Sequence, residues 1–155
     1  MWLGESTHTL DDKGRLSIPR RLLAGQDVDR SGRVTFVVTE GLEGCLFVFT
    51  APVFEQVSSS VDTRTFAGAD ARGRQRRWFG SAEYIELDEK NRVTLPEKLV
   101  KFAGLSREVV IVGVGQRAEI WPKQVWEAYE REHARDLERL DEVSSGERPA
   151  DGAGA

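Results

Sequence analysis

Ten residues near the amino terminus return 77 positions later without a gap. Leu10-Asp11-Asp12-Lys13-Gly14-Arg15-Leu16-Ser17-Ile18-Pro19 aligns with Leu87-Asp88-Glu89-Lys90-Asn91-Arg92-Val93-Thr94-Leu95-Pro96. Five positions are identical, and the other five keep a physical property: Asp/Glu, Gly/Asn, Leu/Val, Ser/Thr and Ile/Leu. Gly and Asn are the residues that best tolerate positive φ. The likeness continues through Arg20-Arg21-Leu22-Leu23 and Glu97-Lys98-Leu99-Val100, then Val48-Phe49 with Ile120-Trp121, and Val53-Phe54-Glu55 with Val125-Trp126-Glu127. The later offset is 72, so the second copy is five residues shorter in between, a deletion expected in the turn 40–44. Such a duplication confines the architecture to two related units.

Each copy reads as strand-strand-helix-strand-strand-helix, an α+β pattern. Residues 6–10 and 15–18 flank a tight turn in which Gly14 supplies the positive-φ position, with Asn91 in the same place in the second copy. Pro19 and Pro96 stop the second strand and open a short helix, which ends near Gly25 and Gly104. The β-branched runs 34–39 and 109–112 predict strands, with return strands at 46–49 and 119–121. Pro52 and Pro122 open further helices. A helix over 66–80 joins the repeats 3–65 and 81–126. A long helix continues from 123, its part 127–142 lying beyond the second repeat, and the polar tail 143–155 is expected to be disordered. Four short strands cannot bury two faces alone, so the copies should cover each other in one pseudo-symmetric domain.

Charge bears on function. The formal net charge is −4, and nucleic-acid binders are usually basic. From Glu127 onward, however, four arginines face nine acidic residues, a net of −5, which leaves the preceding 126 residues at +1. Positive charge is local: Lys13 and Arg15, Lys90 and Arg92, and the run Arg72, Arg74, Arg76 and Arg77, this last read as a solvated helix face with a phosphate or partner contact as the alternative. Arg suits bidentate contact with guanine and Lys suits a phosphate. Asp11 and Asp88 can accept hydrogen bonds from turn amides or hold the Arg fork. A two-stranded ribbon fits the major groove, and two copies supply two reading heads.

Other chemistry finds little footing. A single Cys45 and two distant histidines, His8 and His133, make neither a disulfide framework nor a zinc site. Cys45 is read as a buried small hydrophobe and His133 as a solvated helix residue. Asp11, Asp12 and His8 hint at acid–base work, but His8 aligns with Ile85, and no phosphate loop, nucleophile elbow or zinc motif is present. The aromatics Trp78, Trp121, Trp126 and Tyr129 are assigned to core or subunit contact rather than base stacking. No apolar run spans a membrane and the first residues lack a signal-peptide pattern, so a soluble intracellular protein is expected: no enzyme, cofactor, metal or membrane partner.

Leu-Asp-x-Lys-x-Arg-[LV]-[ST]-[IL]-Pro occurs twice, with Phe79-Gly80-Ser81-Ala82-Glu83 before the second motif. Phe102-Ala103-Gly104-Leu105, Val109-Val110-Ile111-Val112-Gly113 and Glu119-Ile120-Trp121 follow it. Over residues 3–142 this resembles the MraZ family of bacterial transcriptional regulators. The resemblance implies two SpoVT/AbrB-like swapped-hairpin domains, a small double-ψ-like barrel with a long C-terminal helix, in a cytoplasmic, nucleoid-associated protein. It implies double-stranded DNA as partner, a ring-shaped homo-oligomer (octamer or dodecamer), and repression through direct repeats upstream of its own division and cell-wall gene cluster. Carried over position by position, Arg15 and Arg92 lead, then Lys13 and Lys90, supported by Asp11, Asp88, Gly14 and Asn91. Asn91 in place of Gly14 and Glu97 in place of Arg20 imply a weaker second head. The alternative is an antitoxin-like interaction module of the same fold.

Overall fold

The computed structural model describes residues 1–24, 32–64, 66 and 68–139. The chain divides into two compact units, Met1–Lys123 and Gln124–Ala155. In the first, each copy contributes four strands: β1 (Glu5–Thr9), β2 (Arg15–Ser17), β3 (Thr35–Glu40) and β4 (Leu46–Thr50), then β5 (Glu83–Glu86), β6 (Arg92–Thr94), β7 (Glu108–Val114) and β8 (Arg117–Pro122). The helices are α1 (Arg20–Leu23), α2 (Ala51–Ser58), α3 (Ala69–Ser81), α4 (Glu97–Phe102) and α5 (Lys123–Glu132). Apart from the C-terminal helix, boundaries differ from the sequence reading by one to three residues, as frayed ends do.

The expected hairpin is corrected by the pairing. β1 and β2 flank a tight turn, yet they share only the Leu10–Leu16 bridge. β1 instead pairs antiparallel with β7 of the second copy, and β5 of the second copy pairs with β3 of the first. The copies thus exchange their first strands, giving a six-stranded antiparallel sheet in the order β1-β7-β8-β4-β3-β5. β2 and β6 pair with each other as a separate two-stranded ribbon. The physical reason is burial. The central strands β3, β4, β7 and β8 are largely buried, and β1 and β5 cover the otherwise open edges of β7 and β3.

Register also relocates the deletion. His8 stands opposite Val109, while its counterpart Ile85 stands opposite Phe36, so the third strands are offset by 73 rather than 77. Four of the five missing residues therefore fall between α1 and β3, and one in the β3–β4 turn. The pseudo-twofold axis passes through two cross-strand pairs, Leu16–Val93 in the ribbon and Phe47–Glu119 in the large sheet.

Leu16 and Val93 are 0% and 1% exposed and belong to one core with Phe36, Val38, Leu46, Ile111 and Ile120. Burying two such side chains contributes roughly 1.5–3 kcal/mol each. This anchors the inner face of the ribbon onto the large sheet and leaves its other face outward. On the far face, Phe54 stacks on Trp78 and Phe49 meets Trp78 edge-on, and Thr39 Oγ1 meets Ser81 Oγ at 2.8 Å, fixing α3 against β3.

The continuous C-terminal helix read to residue 142 is also corrected. α5 ends at Glu132; a turn covers His133–Arg135, and residues 136–139 are helical again. The Asp136 amide donates to the His133 carbonyl at 3.1 Å, and the Asp136 carboxylate contacts His133 Nδ1 at 2.7 Å. A short carboxylate that bonds locally competes with the helical ladder. Residues 140–142 and the tail 143–155 lie outside the described residues.

Candidate nucleic-acid interface

Each motif closes a turn around its aspartate. The Gly14 amide donates to the Asp11 carbonyl at 3.0 Å, and the Asp11 amide donates to the Arg15 carbonyl at 3.0 Å. Asp11 Oδ1 accepts from the amides of Lys13 (2.9 Å) and Arg15 (2.8 Å), and Oδ2 from Arg15 Nε at 2.6 Å. The second copy repeats this bond for bond: Asp88 Oδ1 accepts from Lys90 (2.8 Å) and Arg92 (2.9 Å) amides, and Oδ2 from Arg92 Nε at 2.9 Å. The sequence offered two roles for the aspartate, and it fills both at once. The Arg15 amide first, then the Arg15 guanidinium and the Lys13 amide, hold the Asp11 carboxyl below its ordinary range; Arg92 and Lys90 do the same for Asp88. The turns require the left-handed region, where Gly14 has φ +73° and Asn91 φ +57°.

The carboxylate engages Arg Nε, so the two terminal Nη groups of each guanidinium stay available for a bidentate contact. Arg15 and Arg92 are about a third and a quarter exposed, and Lys13 and Lys90 are exposed at the turns.

Strand pairing unites the two motifs. Arg15 stands opposite Thr94, Leu16 opposite Val93, and Ser17 opposite Arg92. Side chains alternate across a strand, so with Leu16 and Val93 inward all four others share the outer face. The two arginines occupy diagonal corners, with Cα atoms about 7–8 Å apart. The turns flank the ribbon at opposite ends, locked by the Leu95 amide to the Gly14 carbonyl (2.8 Å) and the Ile18 amide to the Asn91 carbonyl (2.9 Å). The two motifs, expected to stand apart as separate heads, therefore share one face of one ribbon. Ser17 and Thr94, on the other diagonal, went unnoticed in the sequence. Their signal is parity: each lies two residues after an arginine, hence on its face.

The fold engages part of the other candidates, while Arg74 and Arg76 of the arginine run stay exposed. In α3, Arg72 Nη1 donates to the Phe66 carbonyl at 2.6 Å, and Arg77 pairs with Glu40 and lies 6.0 Å from the Phe102 ring. Cys45 is fully buried, and burial first of all pushes its thiol up to about 12, which leaves it inert. Trp121 is buried in the sheet, whereas Trp126 and Tyr129 stack on each other at 6.0 Å within the second unit. Among the described residues no cluster of three or more His, Cys, Asp or Glu could hold a metal, and no helix is long and apolar enough to cross a membrane.

A duplicated, strand-exchanged α+β domain with a doubled Asp–Arg ribbon defines the class. The family described as "MraZ protein, putative antitoxin-like" matches the chain twice, over residues 1–77 and 78–144. The chain is 42% identical over 142 residues to the transcriptional regulator MraZ of Moorella thermoacetica, covering 92% of this chain and 95% of that protein. It is 39% identical to the protein of the same name from Desulforamulus reducens, covering 92% and 96%. The chain belongs to the MraZ family.

Proposed function

We propose that this protein is a sequence-specific transcriptional regulator that inserts the β2–β6 ribbon into the major groove of double-stranded DNA. One observation carries the reading: the register places both clamped arginines on a single outward face whose inner face is anchored in the core. Arg15 and Arg92 take guanine edges, Lys13 and Lys90 take phosphates, and Asp11 and Asp88 pre-orient the arginines so that less side-chain freedom is lost on binding. The exchange of first strands supports the SpoVT/AbrB-like swapped-hairpin description, with residues 3–65 and 81–126 as repeats, 66–80 joining them and 127–142 following as the C-terminal segment.

The finer reading is repression of its own division and cell-wall cluster from a ring of subunits. In a cyclic assembly neighbours share one orientation along the rim, so each head meets DNA in the same direction. Direct repeats spaced about one helical turn, roughly 10 bp, are the matching operator. Multivalency lets weak single heads suffice, which fits a chain whose first 126 residues carry only +1.

The test is a gel shift on DNA upstream of the protein's own gene, with wild type, Arg15→Ala and Arg92→Ala side by side. Wild type should bind and Arg15→Ala should not, with unchanged size-exclusion elution. Wild-type affinity in Arg15→Ala would sink the assignment. A variant truncated after residue 142 should keep DNA binding; an antitoxin-like module would instead lose a partner.

A further inference from the structure

We propose that Ser17 and Thr94 are specificity-determining residues that read base edges between the two arginines, completing a four-cornered recognition face; this rests on the DNA-binding reading above. Three observations meet at these residues. First, the register sets Thr94 directly opposite Arg15 and Ser17 directly opposite Arg92, so each hydroxyl lies across the strand from the other copy's arginine. Cross-strand neighbours have Cβ atoms about 4.5–5.5 Å apart, within the footprint of one or two base pairs. Second, both side chains are exposed while both sequence neighbours of each, Leu16 and Ile18, Val93 and Leu95, are buried. The ribbon cannot rotate these hydroxyls away without bringing apolar residues out of the core.

Third, the fold makes no use of the hydroxyls. Among the described residues neither Ser17 Oγ nor Thr94 Oγ1 meets a hydrogen-bond partner, in contrast to Thr39 and Ser81, whose hydroxyls bond to each other. Serine is no strand former, so propensity does not account for it at the outward end of a three-residue strand. A short side chain at these corners has a geometric role: it lets the ribbon approach the groove floor while the longer arginines reach out on the other diagonal. A hydroxyl can donate to guanine O6 or N7, or accept from a cytosine or adenine amino group, and the Thr94 methyl can rest on a thymine methyl. Base contact at the centre and phosphate contact from the lysines at the two ends divide the work along the ribbon.

The experiment compares Ser17→Ala, Thr94→Val and Arg15→Ala with wild type by fluorescence anisotropy on two duplexes: the upstream region of the gene, and a scrambled duplex of equal length. Thr94→Val keeps the methyl and the strand propensity and removes only the hydroxyl. Each hydroxyl deletion should weaken upstream binding about five- to tenfold and leave scrambled-duplex binding unchanged. Thermal melting should be unaltered, which separates lost contact from lost fold. Wild-type affinity and selectivity in both hydroxyl variants would overturn the proposal, as would an equal loss on both duplexes, which would move the hydroxyls to the phosphate backbone. If Arg15→Ala also binds the upstream duplex like wild type, the parent reading fails; if Arg15→Ala alone loses binding, only this inference does.

Discussion

The two turns of the ribbon, Asp11–Arg15 and Asp88–Arg92, share every backbone and carboxylate bond, yet their electrostatics diverge. Residues 11–21 hold Lys13, Arg15, Arg20 and Arg21 against two acids, whereas residues 88–98 hold Lys90, Arg92 and Lys98 against three. Glu97, where the first copy has Arg20, binds Lys101 at 3.1 Å. Geometry has been kept at both ends of the ribbon and positive charge at only one. The carboxylate clamp and the left-handed residue are what the fold and the arginine posture need. On the proposed reading, charge would set how strongly each end is drawn to phosphate, and the first turn, with four basic residues against two acids, would lead.

That asymmetry can be broken or sharpened by experiment. The largest effect is expected from Arg15→Ala, which should weaken operator binding by at least about 100-fold, since one bidentate pair is worth about 1–3 kcal/mol and each subunit of an assembly loses it. Arg92→Ala should cost about tenfold less in the same titration; equal losses would show that the charge difference has no bearing on affinity. Next comes the left-handed position. Gly14→Ala forces a Cβ to 3.2 Å from the Leu95 carbonyl oxygen at φ +73°, and should destabilise by about 1–2 kcal/mol in a chemical denaturation series. Asn91→Gly should stay within about 0.5 kcal/mol of wild type, because asparagine already tolerates that region. Lys13→Ala should weaken binding to all sequences alike and lower the slope of log affinity against log salt by about 1. A smaller drop for Lys90→Ala would place the second turn farther from the phosphates.

The smallest effect concerns acid. Asp11 and Asp88 have carboxyl pKa values lowered by folding, so their clamps stabilise fully above the ordinary carboxylate range and release as pH falls through the lowered folded values. Carboxyl NMR titration should place both below that range, and Asp11→Asn with Asp88→Asn should flatten the acid limb of the stability curve. Midpoints at the ordinary value would show that the clamp is absent in solution.

Much of the site was legible along the chain. The repeated Asp-x-Lys-x-Arg spacing located both clamps, because an aspartate two and four residues before its donors bonds within its own turn. Gly14 and Asn91 announced the left-handed position, and Pro19 and Pro96 the strand ends. The placing of Arg15 and Arg92 on one ribbon face was not legible, nor was the sharing of that face by Ser17 and Thr94. A three-residue strand carries too little alternation to name its partner, and Leu16 and Val93 say only that one face is inward. The five-residue deletion was misplaced for the same reason: alignment alone leaves a gap free to slide through the dissimilar residues 24–45.

The amino-acid sequence by itself determined the duplication, and with it the local closure of each turn and the chemistry at its tip, which are set by interactions within about five residues. Only the tertiary structure decided that the copies trade their first strands and merge their motifs into one ribbon. Strand partners are chosen by which apolar faces remain uncovered once the whole chain has collapsed, and that choice is made between residues from 45 to 107 positions apart.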